Sequence, residues 1–202
     1  MSSPMAPKPI AIGVLSISAI VGVILAFYIS THEKYKENLN LLDAIGLKDA
    51  FIAAAFAVPL YYIFHSVVSK YGSITRKACS VGRPDQHVYA LMTEADDDST
   101  GPSGQRVRMV QSGEEGRWNR AQRGLYNWTE SRELDVACAL LLCFPMGYLA
   151  LILVAVQGIG RVMFTKGYVE GTAGRVPGFV VSFLGSAIGF IMLLCYAVGG
   201  LV

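Results

Sequence analysis

The stretch that decides the fold covers residues 117–164. It reads RWNRAQRGLYNWTESRELDVACALLLCFPMGYLALILVAVQGIGRVMF, in which polar residues at both ends enclose a long apolar middle. Hydropathy alone favours a single membrane span from about residue 136 to about residue 159. The tetrapeptide Phe-Pro-Met-Gly at 144–147 permits a different structure, because proline and glycine together favour a turn. The stretch is therefore either one span or a helical hairpin.

The two interpretations place the polar ends differently. In a continuous helix, Glu130 and Arg161 would lie roughly 46 Å apart, on opposite sides of the membrane. If the chain reverses at 145–146, each lies about 15 residues from the turn, so both return to the same depth. The basic residues favour the hairpin, since it puts most of the 17 lysines and arginines on one face of the membrane. That bias predicts a cytosolic or matrix-like location for this face.

The composition indicates a membrane protein. Apolar residues make up 53% of the 202 residues and charged residues only 16%, whereas soluble domains carry about 25% charged residues. The charges are concentrated in a few stretches, and the net charge is only +2. This excludes a soluble enzyme, a disordered tail protein and a nucleic-acid binder with a basic patch. We expect an all-α, multi-pass integral membrane protein.

Three further apolar runs complete the predicted spans, at residues 10–29, 50–68 and 176–202. The first is too long for a cleaved signal peptide, so we interpret it as a retained anchor. The predicted organisation is an anchor helix with a polar link at 1–48, followed by a four-helix bundle at 49–202. A long polar loop at 69–116 belongs to the bundle. Neither the histidines nor the cysteines have ligand spacing, which predicts no metal site.

Polar residues recur at helical spacing on both arms of the hairpin. On the first arm they fall within an arc of about 80° and comprise Arg120, Arg123, Asn127 and Glu130. On the second arm the same spacing gives Arg161, Phe164 and Tyr168, and Arg175 follows seven residues later. Ionisable groups inside a span are costly and usually face a bundle interior or a wet cavity.

These residues have two interpretations. One is structural: an ion pair such as Arg161 with Glu130, and arginines that reach towards the interface. We favour it for Arg117, Arg120 and Lys166 taken singly. The other is a ligand site, favoured for the whole set of Arg123, Asn127, Glu130, Arg161, Tyr168 and Arg175.

Nearby, Arg132 is spaced to pair with Asp135, and Trp118 and Trp128 are expected to be interfacial anchors.

Several arginines beside one carboxylate suit a small zwitterion with more than one carboxylate. Arginine binds carboxylates through two parallel hydrogen bonds, and Glu130 could accept from an ammonium group. Glutathione, with two carboxylates and one amine, fits this pattern, although composition does not single it out.

At these residues the sequence resembles the MAPEG family, the membrane-associated proteins in eicosanoid and glutathione metabolism. The family pattern R-x-x-R-x-x-x-N-x-x-E stands here from Arg120 to Glu130. The third family helix carries an arginine with tyrosines three and seven residues later, which correspond to Arg161, Phe164 and Tyr168. Arg175 falls where some members have an arginine that activates the glutathione thiol. The resemblance covers about residues 50–201.

The resemblance implies a MAPEG-like four-helix bundle, here with one extra N-terminal helix. It implies a homotrimer in contact with lipid, with glutathione bound between protomers and a lipophilic substrate entering from the bilayer. The implied glutathione ligands are Arg123, Asn127, Glu130 and Tyr168, with Arg161 supporting the site. Arg175 would be catalytic, because its charge lowers the pKa of the thiol.

The implied activity is that of a glutathione-dependent transferase or peroxidase, acting on lipophilic electrophiles or lipid hydroperoxides in the endoplasmic reticulum or mitochondrial membrane. The sequence departs from the family pattern at Ser131 and Phe164, where tyrosines are usual, and at Glu133, where proline is usual. These departures leave open an alternative, a non-catalytic MAPEG-fold subunit of a large respiratory or photosynthetic membrane complex.

Overall fold

The computed structural model describes residues 20–21, 23–24, 28, 31–79, 81, 86–92 and 106–199. Its contacts divide the chain into two compact units, Met1–Asp49 and Ala50–Val202. The anchor helix predicted at residues 10–29 lies mostly outside the described residues. In the first unit, α1 (Glu33–Ala44) ends in a turn at Gly46, whose φ of 72° favours glycine. An ion pair of 3.3 Å joins Lys48 to Asp43 after this turn.

The described residues that follow are mostly helical, with one small sheet. In chain order their elements are α2 (Lys48–Cys79), β1 (Tyr89–Met92), β2 (Arg106–Met109), α3 (Gly113–Met146), a 3-10 turn (Gly147–Leu149), α4 (Ala150–Glu170), a second 3-10 turn (Ala173–Arg175) and α5 (Val176–Gly199). Three helical stretches of the described chain are long and apolar enough to cross a membrane: Lys48–Cys79, Gly113–Glu170 and Ala173–Tyr196. The protein is therefore an integral membrane protein built from helices, as the composition predicts.

The stretch from α3 to α4 is a helical hairpin. Helix α3 continues through Pro145, and the chain reverses at Gly147, whose φ is 54°. The arms run antiparallel, because Arg161 Nη2 on α4 donates to Ser131 Oγ on α3 at 2.6 Å. The predicted reversal is confirmed, and the turn falls at Gly147–Leu149 rather than at 144–147.

Helix α5 packs against α4 at very short range. A Cβ atom at Gly178 would overlap the backbone nitrogen of Phe164, and one at Gly160 would overlap that of Ser182. Small residues allow such close approach between helices in membranes, where van der Waals packing drives association. The two glycines therefore set the spacing between α4 and α5.

Helix α2 joins the bundle through small and aromatic side chains. Ala57, Tyr61 and Val68 form a buried cluster with Trp128 of α3 and Val154 of α4. The prediction that the tryptophans are interfacial anchors is wrong, since both indoles are buried in the bundle. Trp128 packs with its ring centroid 5.4 Å from that of His65, so tertiary packing satisfies a side chain that the sequence assigned to the interface.

The segment predicted as a polar loop is partly structured. Helix α2 continues to Cys79, and β1 pairs antiparallel with β2 in the register Tyr89 to Met109. Asn119 of α3 holds the base of this sheet: its Oδ1 accepts from Val88 N at 2.8 Å, and its Nδ2 donates to the carbonyls of Val88 and Val110 at 2.8 and 2.9 Å. Trp118 Nε1 donates to the Gln86 carbonyl at 2.8 Å.

Candidate functional site

The polar stripe of α3 lies on an open face of the helix. Arg123 and Glu130 are exposed, and Asn127 between them is half-buried. Within the described residues, no ion pair occupies the Glu130 carboxylate. The expected ligand-binding groups of α3 are therefore accessible, and they are spaced over about two helical turns.

Arg120, the first arginine of the stripe, points to α4 instead. Its Nε donates to the Tyr168 carbonyl at 2.9 Å and its Nη2 to the Val169 carbonyl at 3.0 Å. These carbonyls belong to the last turn of α4, where helical partners run out and positive charge is favourable. Arg120 is thus a structural link between α3 and α4, which confirms its structural interpretation.

The same end of α4 brings Tyr168 and Arg175 together. The Tyr168 side chain is buried, and its ring centroid lies 5.7 Å from that of Phe164. Arg175, the last residue of the 3-10 turn that precedes α5, places its Cζ 5.0 Å from the centroid of the Tyr168 ring. This is a cation–π contact, and Arg175 remains exposed. The structure therefore positions this guanidinium by an aromatic face and leaves it open to a ligand.

Sequence reasoning missed His87 at this end of the bundle. Its ring stacks on Tyr126 of α3, with 5.7 Å between the centroids. The pKa of His87 is lowered from its ordinary 6.5, first by burial and second by the charge of Arg123. His87 is thus a neutral aromatic neighbour of Arg123 near pH 7. The residue lies in the polar loop, where nothing in the pattern of the sequence indicates its contact with α3.

The structure separates Arg161 from Glu130. Arg161 Nη2 lies 3.7 Å from Asp135 Oδ2, with only 15% and 9% of the two side chains exposed. The ion pair of Arg161 with Glu130, which the sequence offers as the structural alternative to a ligand site, is therefore not formed, and neither is the pairing of Arg132 with Asp135. Arg132 instead lies 4.0 Å from the exposed Glu133. Asp135 attracts Arg161 because it is buried on the side of α3 that faces α4.

Asp135 is the centre of a buried hydrogen-bond network that sequence reasoning also missed. Its Oδ1 accepts from Gln157 Nε2 at 2.9 Å and from Ser186 Oγ at 3.0 Å, and its Oδ2 accepts from Ser131 Oγ at 3.3 Å. Tyr61 donates to the Gln157 side-chain oxygen. The sequence contains a signal for this contact, because Asp135 and Gln157 are nearly equally far from the predicted reversal at 145–146.

One donor remains unpaired beside this network. Arg161 Nε is buried and has no hydrogen-bond partner among the described residues. A buried donor without a partner costs free energy and is uncommon in folded proteins. The described residues contain no group of three or more histidine, cysteine or acidic side chains placed to hold a metal ion.

A sequence model of the MAPEG family matches residues 51–195. The chain belongs to the MAPEG family. No curated protein and no solved structure matches the chain.

The match to the MAPEG family starts near the beginning of the second compact unit and continues into α5. It contains all six residues that the sequence singles out: Arg123, Asn127, Glu130, Arg161, Tyr168 and Arg175. Two departures from the MAPEG pattern acquire contacts of their own. Ser131 accepts a hydrogen bond from Arg161, and Phe164 is buried against Tyr168.

Proposed function

We propose that this MAPEG protein binds glutathione beside Tyr168 and Arg175, and that it uses glutathione in a transferase or peroxidase reaction on lipophilic substrates. The observation that carries the proposal is the contact of Arg175 with the Tyr168 ring at 5.0 Å. This contact holds an exposed guanidinium beside the end of α4. Arg120 joins the same end of α4 to the polar stripe of α3, because its Nε donates to the Tyr168 carbonyl.

The stripe supplies groups that complement glutathione. Arg123 offers a planar pair of donors for a carboxylate. Glu130 accepts from the amine, and Asn127 offers both a donor and an acceptor. Because Arg123 and Glu130 are exposed in one protomer, a homotrimer would enclose the ligand by placing a second copy over this face.

Arg175 would act on the thiol. A fixed positive charge near sulfur favours the thiolate and lowers the thiol pKa. In conjugation, the thiolate attacks an electrophilic carbon and a carbon–sulfur bond forms as the leaving group departs. In peroxide reduction, the thiolate attacks the terminal peroxide oxygen, and the lipid alcohol leaves with a proton. The resulting sulfenic acid then condenses with a second glutathione to give the disulfide and water.

Arg161 acquires a different task in this proposal. The resemblance implies that it supports the glutathione site, and the structure engages it with Asp135 inside the bundle. Its hydrogen bond to Ser131, the neighbour of Glu130, fixes that turn of α3. Arg161 is therefore a positioning residue, which acts on the ligand through the placement of the stripe.

The test compares Arg175→Ala with Arg117→Ala in purified protein. Arg117 is a matched control because it is an exposed arginine of α3 that pairs with Glu114 at 3.1 Å, outside the site. We expect Arg175→Ala to keep most glutathione binding, measured with radiolabelled glutathione. Its turnover of 1-chloro-2,4-dinitrobenzene or cumene hydroperoxide should fall by up to about tenfold for each unit by which the thiol pKa rises.

The ultraviolet absorbance of the bound thiolate reports that rise directly. Arg117→Ala should match the unmodified protein in binding, turnover and thiolate absorbance. No glutathione binding by the unmodified protein, or equal turnover by both variants, would contradict the proposed activity.

A second candidate function is a non-catalytic subunit of a large membrane complex. Two observations favour it: Phe164 lacks a hydroxyl group, and Asp135 holds Arg161 away from the stripe. The exposed stripe would then dock another subunit. Purification from the native membrane without cross-linking separates the two functions. A small oligomer with turnover supports the enzyme, whereas co-migration with other proteins and no turnover supports the subunit.

A further inference from the structure

A cavity of about 370 Å³ lies inside one protomer between α3, α4 and α5. This volume falls within the usual range of small-molecule sites, about 300–1,000 Å³. Its walls are apolar, formed among others by Leu142, Leu153, Val154 and Phe190. None of its lining residues belongs to the proposed glutathione site.

The cavity is open at the side of the bundle. The lining residues Leu134, Phe183 and Phe190 have 66%, 58% and 49% of their surface exposed, on the outer sides of α3 and α5. Both helices lie in stretches long and apolar enough to cross a membrane, which puts this opening at the depth of the bilayer hydrocarbon. A ligand would therefore enter from the lipid phase.

The polar groups of the cavity belong to the Asp135 network, with Tyr61, Gln157 and Ser186. Both hydrogens of the Gln157 amide are already used, on Asp135 and Ser186. The Tyr61 hydroxyl donates towards the Gln157 side-chain oxygen and the Asp135 backbone carbonyl, and its own oxygen accepts a hydrogen bond from no described residue. Arg161, with its unpaired Nε, does not line the cavity. The members of the network that do line it therefore offer acceptor capacity, and a ligand needs a hydrogen-bond donor to use it.

The network also restricts the charge of the ligand. Asp135 and Arg161 already form an opposite-charge pair at 3.7 Å. A charged ligand would leave one charge without a counter-charge in a water-poor interior, which is strongly unfavourable. We infer that the cavity binds a neutral, mainly hydrocarbon molecule that carries one hydroxyl group, with the hydroxyl on the Tyr61 oxygen.

The test uses a photoactivatable decanol with a diazirine on its chain, added to the full-length protein in lipid nanodiscs. Mass spectrometry should place the label on cavity-lining residues such as Cys138 and Phe183. Excess decanol should compete. Decyl methyl ether, which has no donor, and decanoate, which is charged, should compete at least fivefold less well. Tyr61→Phe should weaken labelling about fivefold, as expected for the loss of one neutral hydrogen bond.

Gly189→Met tests whether the label reports the cavity. A Cβ at Gly189 would lie 3.4 Å from Leu142 Cδ1 and 3.7 Å from Cys138 Sγ, so a longer side chain there enters the cavity. Ile188→Met is the matched control, since Ile188 is exposed on α5 and does not line the cavity. We expect at least tenfold less labelling in the first variant and unchanged labelling in the second. Gly189→Ala, which makes only ordinary contacts, should reduce labelling in part.

Three results would overturn the inference. One is equal competition by decanol and its methyl ether, and another is equal labelling of Gly189→Met and Ile188→Met. The third is efficient cross-linking of Cys138 between two copies by a short bis-maleimide, which would show that a second copy fills the opening.

Discussion

Removal of the Asp135 carboxylate should destabilise the bundle strongly. In Asp135→Leu, the guanidinium of Arg161 stays buried with 15% of its side chain exposed and loses its counter-charge at 3.7 Å. Removing one partner of a buried ion pair costs about 3–5 kcal/mol. Gln157 and Ser186 also lose the oxygen that they share, at 2.9 and 3.0 Å.

The double variant Asp135→Leu/Arg161→Met shows whether charge causes this loss. Removal of both charges eliminates the uncompensated ion, so the double variant should be more stable than Asp135→Leu. It should remain about 1–3 kcal/mol less stable than the unmodified protein, because Gln157 and Ser186 still lack their acceptor. Glu133→Leu is the matched control, because the side chain of Glu133 is 88% exposed. Its effect should stay within about 0.5 kcal/mol.

The assay is unfolding in mixed detergent micelles, followed by circular dichroism. The four proteins of the cycle are the unmodified chain, each single variant and the double variant. If the effects of Asp135→Leu and Arg161→Met simply add, the two residues are not coupled, and the buried ion pair described above is refuted.

Three more predictions concern packing and the β1–β2 sheet. Gly178→Val should separate α4 from α5 and lower the melting temperature, measured by size-exclusion chromatography after heating. Gly171→Ala is the control and should leave it unchanged, because no atom lies within 4 Å of the new Cβ. Equal melting temperatures of the two variants would contradict the close packing. The His87 ring should titrate below its ordinary pKa of 6.5, as measured by NMR. Arg123→Ala should return this pKa only part of the way to 6.5, because burial is the larger cause of the shift. A midpoint at or above 6.5 in the unmodified protein would contradict the burial. Since the folded-state pKa is the lower one, docking of His87 on α3 should weaken as the pH falls below about 6.5. Asn119→Ala should release the base of the sheet, with about 1–3 kcal/mol less protection of the Val88 amide in hydrogen exchange; unchanged protection would show that Asn119 does not hold the sheet.

The hairpin was predictable because its two signals are local. Proline and glycine at 144–147 permit a reversal, and polar residues at equal distances from it fall at equal depth. The same counting matches Asp135 with Gln157, a pair that the structure joins at 2.9 Å. Asp135 also has a candidate partner on its own helix, Arg132, and this counting does not decide between the two.

The choice of partner for Arg161 could not be predicted in this way. Glu130 and Asp135 both lie close to the membrane depth of Arg161, but they lie on different sides of α3. Glu130 faces outwards, whereas Asp135 faces α4 and is buried. A rotation of α3 about its axis decides between them, and side-chain packing with α2 and α4 sets that rotation.

The sequence by itself determined that this chain is a membrane protein of the MAPEG family with a reversal between α3 and α4. Hydropathy, turn residues and helical spacing act along the chain, so they can be read from it. The tertiary structure alone decided that Asp135 takes Arg161 into the bundle, that both tryptophans are buried, and that a cavity lies beside the network. These features depend on which faces of distant helices meet, and in a bilayer that choice rests on close packing and hydrogen bonds rather than on the apolar pattern of each helix.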